Sequence, residues 1–256
     1  MLIQIQGLDT FYQVEGQGEP VVLLHGWGAS SQSLGKVATC LLPTFRVVSV
    51  DLPGFGWSQA PPKAWGAADY ALHVRDFLDE IGLAQVAILG HSNGGRIAIH
   101  IAAHTPARVS RLVLVASAGV RPKRGPRYHL RVAITKTLGQ LSALPGFRGL
   151  GERLLSRWRA KVGSRDYRAA GRLRPTLVKL VNEDLTPILA KIEAPTLLLW
   201  GDQDQEVRRP AIEVMAATIP RARLVVFPGA GHFPFQDAPE VFCRTLMSFL
   251  RAEGGK

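Results

Sequence analysis

The sequence predicts an α/β protein built on a mostly parallel central sheet of about eight strands flanked by helices. Two observations support this prediction. Short apolar runs typical of buried strands alternate with segments that have helical apolar spacing, and one long segment in the middle of the chain departs from that alternation. With 256 residues and 46% hydrophobic content, the chain can form one large core that carries an insertion.

The order of elements begins with an antiparallel hairpin, because alternating residues in 2–6 and 11–15 flank a turn at 7–9. Apolar runs then predict the strands of the parallel part, centred near Val21, Val47, Val86, Leu112, Thr196 and Leu224. Helical spacing predicts helices at about 69–81, 94–103, 211–217 and 240–250.

The most informative segment is Gly90-His91-Ser92-Asn93-Gly94, which lies between the apolar run 86–89 and an apolar helical repeat. The glycines two positions on either side of Ser92 permit a sharp turn, so the seryl oxygen would stand exposed at the start of a helix. A simple surface turn would explain the glycines but not the strand and helix around them. The segment therefore predicts a nucleophile elbow, a geometry suited to attack on an acyl carbon.

A serine nucleophile requires a general base and a group that orients the base. His232 follows an apolar run and a Pro-Gly turn, so it would lie on a loop just past a strand end, within reach of a site. No acid occurs between Glu80 and Glu152, and the orienting acid must therefore come later in the chain. The loop after 196–200 offers three candidates that the pattern alone does not separate: Asp202, Asp204 and Glu206.

The order of Ser92, a later acid and His232 resembles that of the α/β-hydrolase fold superfamily. The motif His25-Gly26-Trp27-Gly28 and the segment 51–58 (Asp-Leu-Pro-Gly-Phe-Gly-Trp-Ser) add to the resemblance, which runs from about 21 to 250 and omits only the stretch between 120 and 185. It is strongest to the small capped esterases and the carbon–carbon bond hydrolases of aromatic degradation. In that family the acid is usually the fourth residue of a GxxD loop, which implies Asp204, with Asp202 as the fallback.

The resemblance also implies an oxyanion hole formed by the backbone N–H groups of Trp27 and Asn93. His25 would order its loop rather than titrate in catalysis, and a metal-binding role is disfavoured because no ligand lies at suitable spacing. Segment 51–58 is expected to be a structural turn. No metal or organic cofactor is expected. The substrate pocket is expected to include His25, Gly26, Trp57, His91 and Phe233.

These residues predict a serine hydrolase, a carboxylesterase acting on small to medium carboxylic esters. Ser92 would attack the carbonyl while His232 takes its proton and Asp204 holds the imidazole, and water would then release the acyl group from Ser92. Nearby variants are a carbon–carbon bond hydrolase of the meta-cleavage product type, a lactonase or a perhydrolase. A non-catalytic ligand-binding protein on the same scaffold is the alternative from another class. A serine nucleophile argues against dehalogenase and epoxide hydrolase chemistry, where the family places an aspartate.

The expected domain organisation is a core formed by 1–120 and 186–256, with 121–185 inserted as a helical lid. Residues 121–174 contain 15 Lys and Arg against two acids, so this segment carries the whole net charge of +11. Apolar residues at helical spacing predict short helices laid over the active-site mouth, as in Leu130, Ile134, Leu138 and Leu141. The basic face is either a solvated surface or a functional one that steers anionic substrates or attaches loosely to anionic lipid or nucleic acid. No dedicated nucleic-acid-binding motif is present.

The two cysteines, Cys40 and Cys243, are too few and too far apart in sequence to suggest a disulfide framework, and Cys243 is expected to be a core thiol. Residues 1–6 lack the features of a signal peptide, and no stretch approaches the length of a transmembrane segment. These observations predict a cytoplasmic protein that binds a small-molecule ester. They carry no information on its oligomeric state.

Overall fold

The computed structural model describes residues 1–121, 125–143, 148–162 and 164–252. Within these residues, eight strands form one sheet in the order β1-β2-β4-β3-β5-β6-β7-β8. The strands are β1 (Leu2–Ile5), β2 (Leu8–Glu15), β3 (Pro20–Leu24), β4 (Arg46–Val50), β5 (Val86–His91), β6 (Val109–Val115), β7 (Thr196–Gly201) and β8 (Ala222–Phe227). The predicted fold class is therefore confirmed.

The α-helices in the same part of the chain follow the strands in alternation. They are α1 (Gly35–Leu41), α2 (Ala67–Glu80), α3 (Asn93–His104), α4 (Pro126–Ala143), α5 (Arg148–Val162), α6 (Arg165–Ala169), α7 (Arg174–Asn182), α8 (Thr186–Leu189), α9 (Arg209–Thr218), α10 (Pro234–Asp237) and α11 (Pro239–Arg251). The four predicted helices correspond to α2, α3, α9 and α11, and each observed boundary lies within about two residues of the predicted one.

The N-terminal hairpin has a shorter turn than predicted. Strand β2 already begins at Leu8, and only Gln6 and Gly7 connect the two strands, with φ angles of 52° and 76°. Two consecutive residues with positive φ form the type of tight turn that matches the twist of a hairpin. Strand β2 then pairs antiparallel with β4, and all later neighbours in the sheet are parallel.

The parallel strands form the centre of the core. All six residues of β5 and of β7 are buried, as expected for strands covered on both faces. On one face, Leu23, Leu89 and Leu197 pack in a cluster that also contains Leu41 of α1 and Leu246 of α11. Because strands β3 to β8 run in one direction, the loops that follow β3, β5, β7 and β8 meet at the same edge of the sheet.

The expectation of a core thiol at Cys243 is wrong, because Cys40 and Cys243 form a disulfide with a Cα–Cα distance of 5.9 Å. Cys40 lies on α1 and Cys243 on α11, two helices from opposite ends of the chain that share the same core cluster. The separation of 203 residues in sequence was therefore a poor guide to the distance in space.

The chain divides into two compact units, Met1–Arg121 with Val178–Lys256 and Pro122–Leu177. In the second unit, α4 and α5 pack together, and the indole nitrogen of Trp158 donates a hydrogen bond to the Thr135 hydroxyl at 2.9 Å. This unit lies inside the segment 121–185 that the sequence assigns to a lid, and its role as a lid stays a prediction. Among the helices in the described ranges, none combines the length and apolar character required to cross a bilayer.

Candidate active site

Ser92 occupies a strained turn between β5 and α3. Its backbone has φ 50° and ψ −110°, a combination that costs a non-glycine residue roughly 1–3 kcal/mol. Two hydrogen bonds connect the turn to β6 and the residues after it: the Ser92 N–H donates to the Val115 carbonyl at 3.0 Å, and the Ala118 N–H donates to the Ser92 carbonyl at 3.1 Å. Strand β6 and the residues just after it therefore fix the serine in this conformation.

The glycines on either side of Ser92 permit close backbone contacts. A β-carbon at Gly94 would lie 2.0 Å from the Leu24 carbonyl oxygen at the end of β3, and one at Gly90 would lie 2.5 Å from the Gly94 carbonyl oxygen. Both contacts are with backbone atoms, which cannot move aside as the end of a side chain can. The elbow therefore requires glycine at these two positions because the backbone packs against itself and against β3.

His232 and Asp204 form a buried pair on the loops that follow β8 and β7. Nδ1 of His232 lies 2.9 Å from Oδ2 of Asp204, and the two side chains are 8% and 0% exposed. The other Asp204 oxygen accepts hydrogen bonds from the backbone N–H groups of Glu206 and Val207 at 2.8 and 3.0 Å. The carboxylate is thus fixed by its own loop and keeps one oxygen for the imidazole.

The other two acids of this loop have different partners. Oδ1 of Asp202 accepts a hydrogen bond from the Gly229 N–H at 2.8 Å, which supports the loop that carries His232. Oε2 of Glu206 lies 3.2 Å from Nε2 of His232, although the Glu206 side chain is 61% exposed. Within the described part of the chain, the hydroxyl of the half-buried Ser92 has no hydrogen-bond partner. Sequence reasoning considered Glu206 only as an alternative to Asp204, since no pattern indicates that both acids contact one imidazole.

His91, the residue before Ser92, supports the loop of His232. Its Nε2 donates a hydrogen bond to the His232 carbonyl oxygen at 3.0 Å, and its ring lies 4.9 Å from the His232 ring and 5.0 Å from the Phe233 ring, centre to centre. Burial, together with the nearby His232, lowers the pKa of His91 to about 4. His91 is therefore neutral at pH 7 and acts as a hydrogen-bond donor. The sequence predicted it only as a pocket residue, because its partner is 141 positions away.

The loop after β3 packs against the elbow. His25 is fully buried, and its Nδ1 donates to the Gly26 carbonyl at 2.8 Å while its Nε2 accepts from the Leu52 N–H at 3.0 Å. Both ring nitrogens are thus engaged, and burial lowers the pKa of His25. A β-carbon at Gly26 would lie 3.4 Å from the Ser92 Cβ. The structure therefore brings this loop next to the serine.

The two backbone N–H groups that the sequence assigns to an oxyanion hole lack protein partners. Within the described residues, neither the Trp27 N–H nor the Asn93 N–H donates a hydrogen bond. The side-chain Nδ2 of Asn93 is also buried without a partner. An oxyanion hole requires donors that no protein acceptor already occupies, and these groups meet that condition.

The segment after β4 is organised by Asp51. Its two carboxylate oxygens accept hydrogen bonds from the Ser31 N–H at 2.7 Å and from the Trp57 N–H at 2.9 Å. The ring of Phe55 in this turn packs edge-on against Trp27, with 4.9 Å between the centroids. The Trp57 side chain is 73% exposed, and Phe233 is 38% exposed, so the two predicted pocket aromatics present much of their surface to solvent.

A family model for the α/β hydrolase fold matches residues 19–239 of this chain. A pimeloyl-[acyl-carrier protein] methyl ester esterase from Chromobacterium violaceum is 32% identical over 260 residues, which cover 96% of this chain and 100% of the relative. An esterase structure from Exiguobacterium antarcticum is 29% identical with a TM-score of 0.77, covering 98% of this chain and 99% of its own. A membrane phospholipase A, described as a bacterial virulence factor, is 30% identical with a TM-score of 0.73, and the match covers 98% and 84% of the two chains.

Proposed function

This chain belongs to the α/β-hydrolase fold family, and we propose that it is a serine carboxylesterase in which Ser92, His232 and Asp204 form the catalytic triad. The observation that carries the proposal is the buried contact of 2.9 Å between His232 Nδ1 and Asp204 Oδ2. A structural histidine on a surface loop does not require a fully buried carboxylate on one nitrogen. A general base does, because the carboxylate sets the tautomer and stabilises the cation that forms.

The proposed mechanism gives each of these groups one role. Nε2 of His232 takes the proton from the Ser92 hydroxyl as the oxygen attacks the ester carbonyl. The N–H groups of Trp27 and Asn93 stabilise the negative charge that develops on the carbonyl oxygen. The imidazolium then gives its proton to the departing alcohol, and the acyl group remains on Ser92. Water, deprotonated by His232, hydrolyses this acyl-enzyme and releases the acid.

The relatives favour esters as the substrate class. The three relatives described above, at 29–32% identity, are named as esterases or a phospholipase, enzyme classes that cleave ester bonds. A meta-cleavage product hydrolase and an enol-lactonase match at 23% and 20% identity, a level that indicates the fold alone. Cleavage of a carboxylic ester is therefore the activity we propose, ahead of carbon–carbon bond or lactone hydrolysis.

A methyl ester on a carrier-bound acyl chain is the specific substrate that the curated relative suggests. The segment 121–174, with 15 basic residues and two acids, supports attraction of an anionic carrier or lipid surface. Salt should then weaken turnover of the carrier-bound ester much more than turnover of the same free methyl ester. Equal salt dependence for the two substrates would remove the electrostatic part of this proposal.

The experiment is a substrate panel assayed with the wild-type protein and with Ser92→Ala. It contains p-nitrophenyl esters from acetate to laurate, free and carrier-bound methyl esters, a lactone and a ring-cleavage dienone. We expect turnover of the esters and a loss of roughly 10⁴–10⁶-fold in Ser92→Ala, because the triad acts as a unit. Preferred turnover of the dienone or the lactone would contradict the proposed bond type. A change of less than tenfold in Ser92→Ala would remove Ser92 from the mechanism.

The cellular location is a separate question. The sequence-based prediction is the cytoplasm, but the Cys40–Cys243 disulfide favours an oxidising compartment, since such bonds are rare in reducing ones. Alkylation of free thiols at the moment of cell lysis, followed by mass measurement, distinguishes the two. Two alkylated cysteines indicate a reducing location, and none indicates an oxidising one.

A further inference from the structure

Glu206 places a second carboxylate on the imidazole of the proposed general base. Asp204 lies 2.9 Å from Nδ1 of His232, and Glu206 lies 3.2 Å from Nε2, the nitrogen that must accept the proton of Ser92. The two acids differ in their surroundings, because the Asp204 side chain is fully buried and that of Glu206 is 61% exposed. The proposed mechanism uses Asp204 and leaves Glu206 without a role.

The protonation state that fits this geometry is the imidazolium. An ionised carboxylate only accepts hydrogen bonds, so each ring nitrogen that faces one must carry a hydrogen. With protons on both nitrogens, His232 has no lone pair left for the Ser92 hydroxyl. The absence of a hydrogen bond from that hydroxyl within the described residues agrees with this state.

We propose that Glu206 is a positioning residue that occupies His232 Nε2 in the free enzyme and competes with Ser92 for it. This inference rests on the proposed function, in which His232 is the general base. Proton transfer from Ser92 requires Glu206 to leave Nε2, and the ion pair opposes that step whenever His232 is charged. Glu206 thereby makes the esterase less active on the acid side of its pH profile.

The exposed side chain of Glu206 allows this movement without a change of fold. Its backbone N–H stays bound to Asp204 Oδ1 at 2.8 Å, so the main chain remains in place while the carboxylate swings into solvent. An ion pair with one exposed partner is weak, because water screens the exposed charge. Such a pair changes the fraction of molecules in which Glu206 occupies Nε2 but does not block the site permanently. Substrate binding can therefore displace the Glu206 carboxylate.

The other titratable groups around His232 remain unchanged in the test. They are Asp204 on the same loop as Glu206, and His91 at the end of β5, whose Nε2 donates to the His232 carbonyl. Two more carboxylates bind the backbone of the loop that carries His232. Asp202 accepts a hydrogen bond from the Gly229 N–H, and Asp237 of α10 accepts one from the Gly231 N–H at 2.8 Å. In the described part of the chain, Glu206 alone forms an ion pair or a hydrogen bond with Nε2.

The test compares Glu206→Gln and Glu206→Ala with Glu213→Gln as the matched control. Glu213 is also exposed and pairs with Arg209 at 2.8 Å on α9, so its substitution removes the same charge from a neighbouring surface. We expect the acid limb of kcat/KM to move to lower pH by several tenths of a unit in both Glu206 variants, a gain of about two- to fivefold on that limb. On the alkaline plateau, where His232 is neutral and gives Glu206 no proton to accept, activity should be unchanged. Glu213→Gln should follow the wild type throughout.

A second measurement does not depend on turnover. In protein carrying isotope-labelled histidine, with the His232 resonance assigned from His232→Gln, the titration midpoint of that resonance should move to lower pH in Glu206→Gln and not in Glu213→Gln. An unchanged midpoint and an unchanged acid limb would overturn the proposal, as would a loss of activity of more than tenfold in Glu206→Gln at every pH. Failure of the proposed function gives another result, namely no ester turnover by the wild type, and the resonance then still decides the role of Glu206.

Discussion

A buried histidine outside the candidate active site makes the stability of the fold sensitive to acid. His73 on α2 is fully buried, with Nε2 2.9 Å from the Thr10 hydroxyl and its ring 5.4 Å from that of Trp65. Its Nδ1 has no partner within the described residues. Burial lowers the pKa of His73 from 6.5 to about 4, against a weak opposing effect of Asp76. The substitution His73→Gln tests this effect, because a glutamine side chain can still reach the Thr10 hydroxyl but does not titrate.

The size of the effect on the free energy of unfolding follows from the difference between the pKa of His73 in the folded protein and in the unfolded chain. In the unfolded chain His73 takes up a proton near pH 6.5, whereas in the folded protein it stays neutral down to about pH 4. Between these values the unfolded state binds more protons, so the free energy of unfolding falls as the pH falls. The full shift corresponds to about 3 kcal/mol, of which about 2.5 kcal/mol is already lost near pH 4.5. Above about pH 7.5, where His73 is neutral in both states, it contributes almost nothing to the pH dependence.

The assay is urea unfolding, followed by tryptophan fluorescence, near pH 7.5 and near pH 4.5. The His73→Gln variant should lose about 2–3 kcal/mol less than the wild type between the two conditions, whatever its stability at neutral pH. His104→Gln, which replaces an exposed histidine on α3, serves as the control. If wild type and His73→Gln lose stability in parallel, the reasoning from burial to acid sensitivity is refuted.

Three further predictions concern the disulfide, the acid that orients His232, and the glycine after Ser92. Reduction of the Cys40–Cys243 disulfide, or Cys40→Ser, should lower the free energy of unfolding by about 2–5 kcal/mol, measured in urea, because the bond closes a loop of 203 residues. Asp204→Asn should lower kcat by about 10³–10⁴-fold and Asp202→Asn by less than tenfold; the reverse order would make Asp202 the orienting acid. Gly94→Ala should cost about 3 kcal/mol or more, seen as a lower melting temperature, because its methyl group would meet the Leu24 carbonyl. An unchanged melting temperature would contradict the close packing of the elbow.

The features that the sequence predicted well are those encoded locally. The apolar run 86–89, the paired glycines and the helical repeat after them predicted the turn at Ser92, and the strained backbone there is what such spacing implies. Strand–helix alternation likewise predicted the parallel sheet, because each element buries its own apolar residues. His232 and the acidic loop were placed at strand ends for the same reason.

The features that it missed depend on which loops meet in three dimensions. Pattern alone did not separate Asp204 from Asp202, and the distance to His232 Nδ1 is what distinguishes them. The contact of Glu206 with Nε2 joins two loops and has no signature in either of them. The disulfide was missed because α1 and α11 are adjacent only once both pack on the sheet.

The proposed function requires Ser92 to be a nucleophile activated by His232 and Asp204. The most direct test is covalent labelling with a fluorophosphonate, followed by mass spectrometry of the intact protein and of its peptides. We predict one adduct per chain, located on Ser92, with labelling abolished in Ser92→Ala and strongly slowed in His232→Gln. An unlabelled wild-type protein, an adduct on another residue, or equal labelling rates in wild type and His232→Gln would contradict the account.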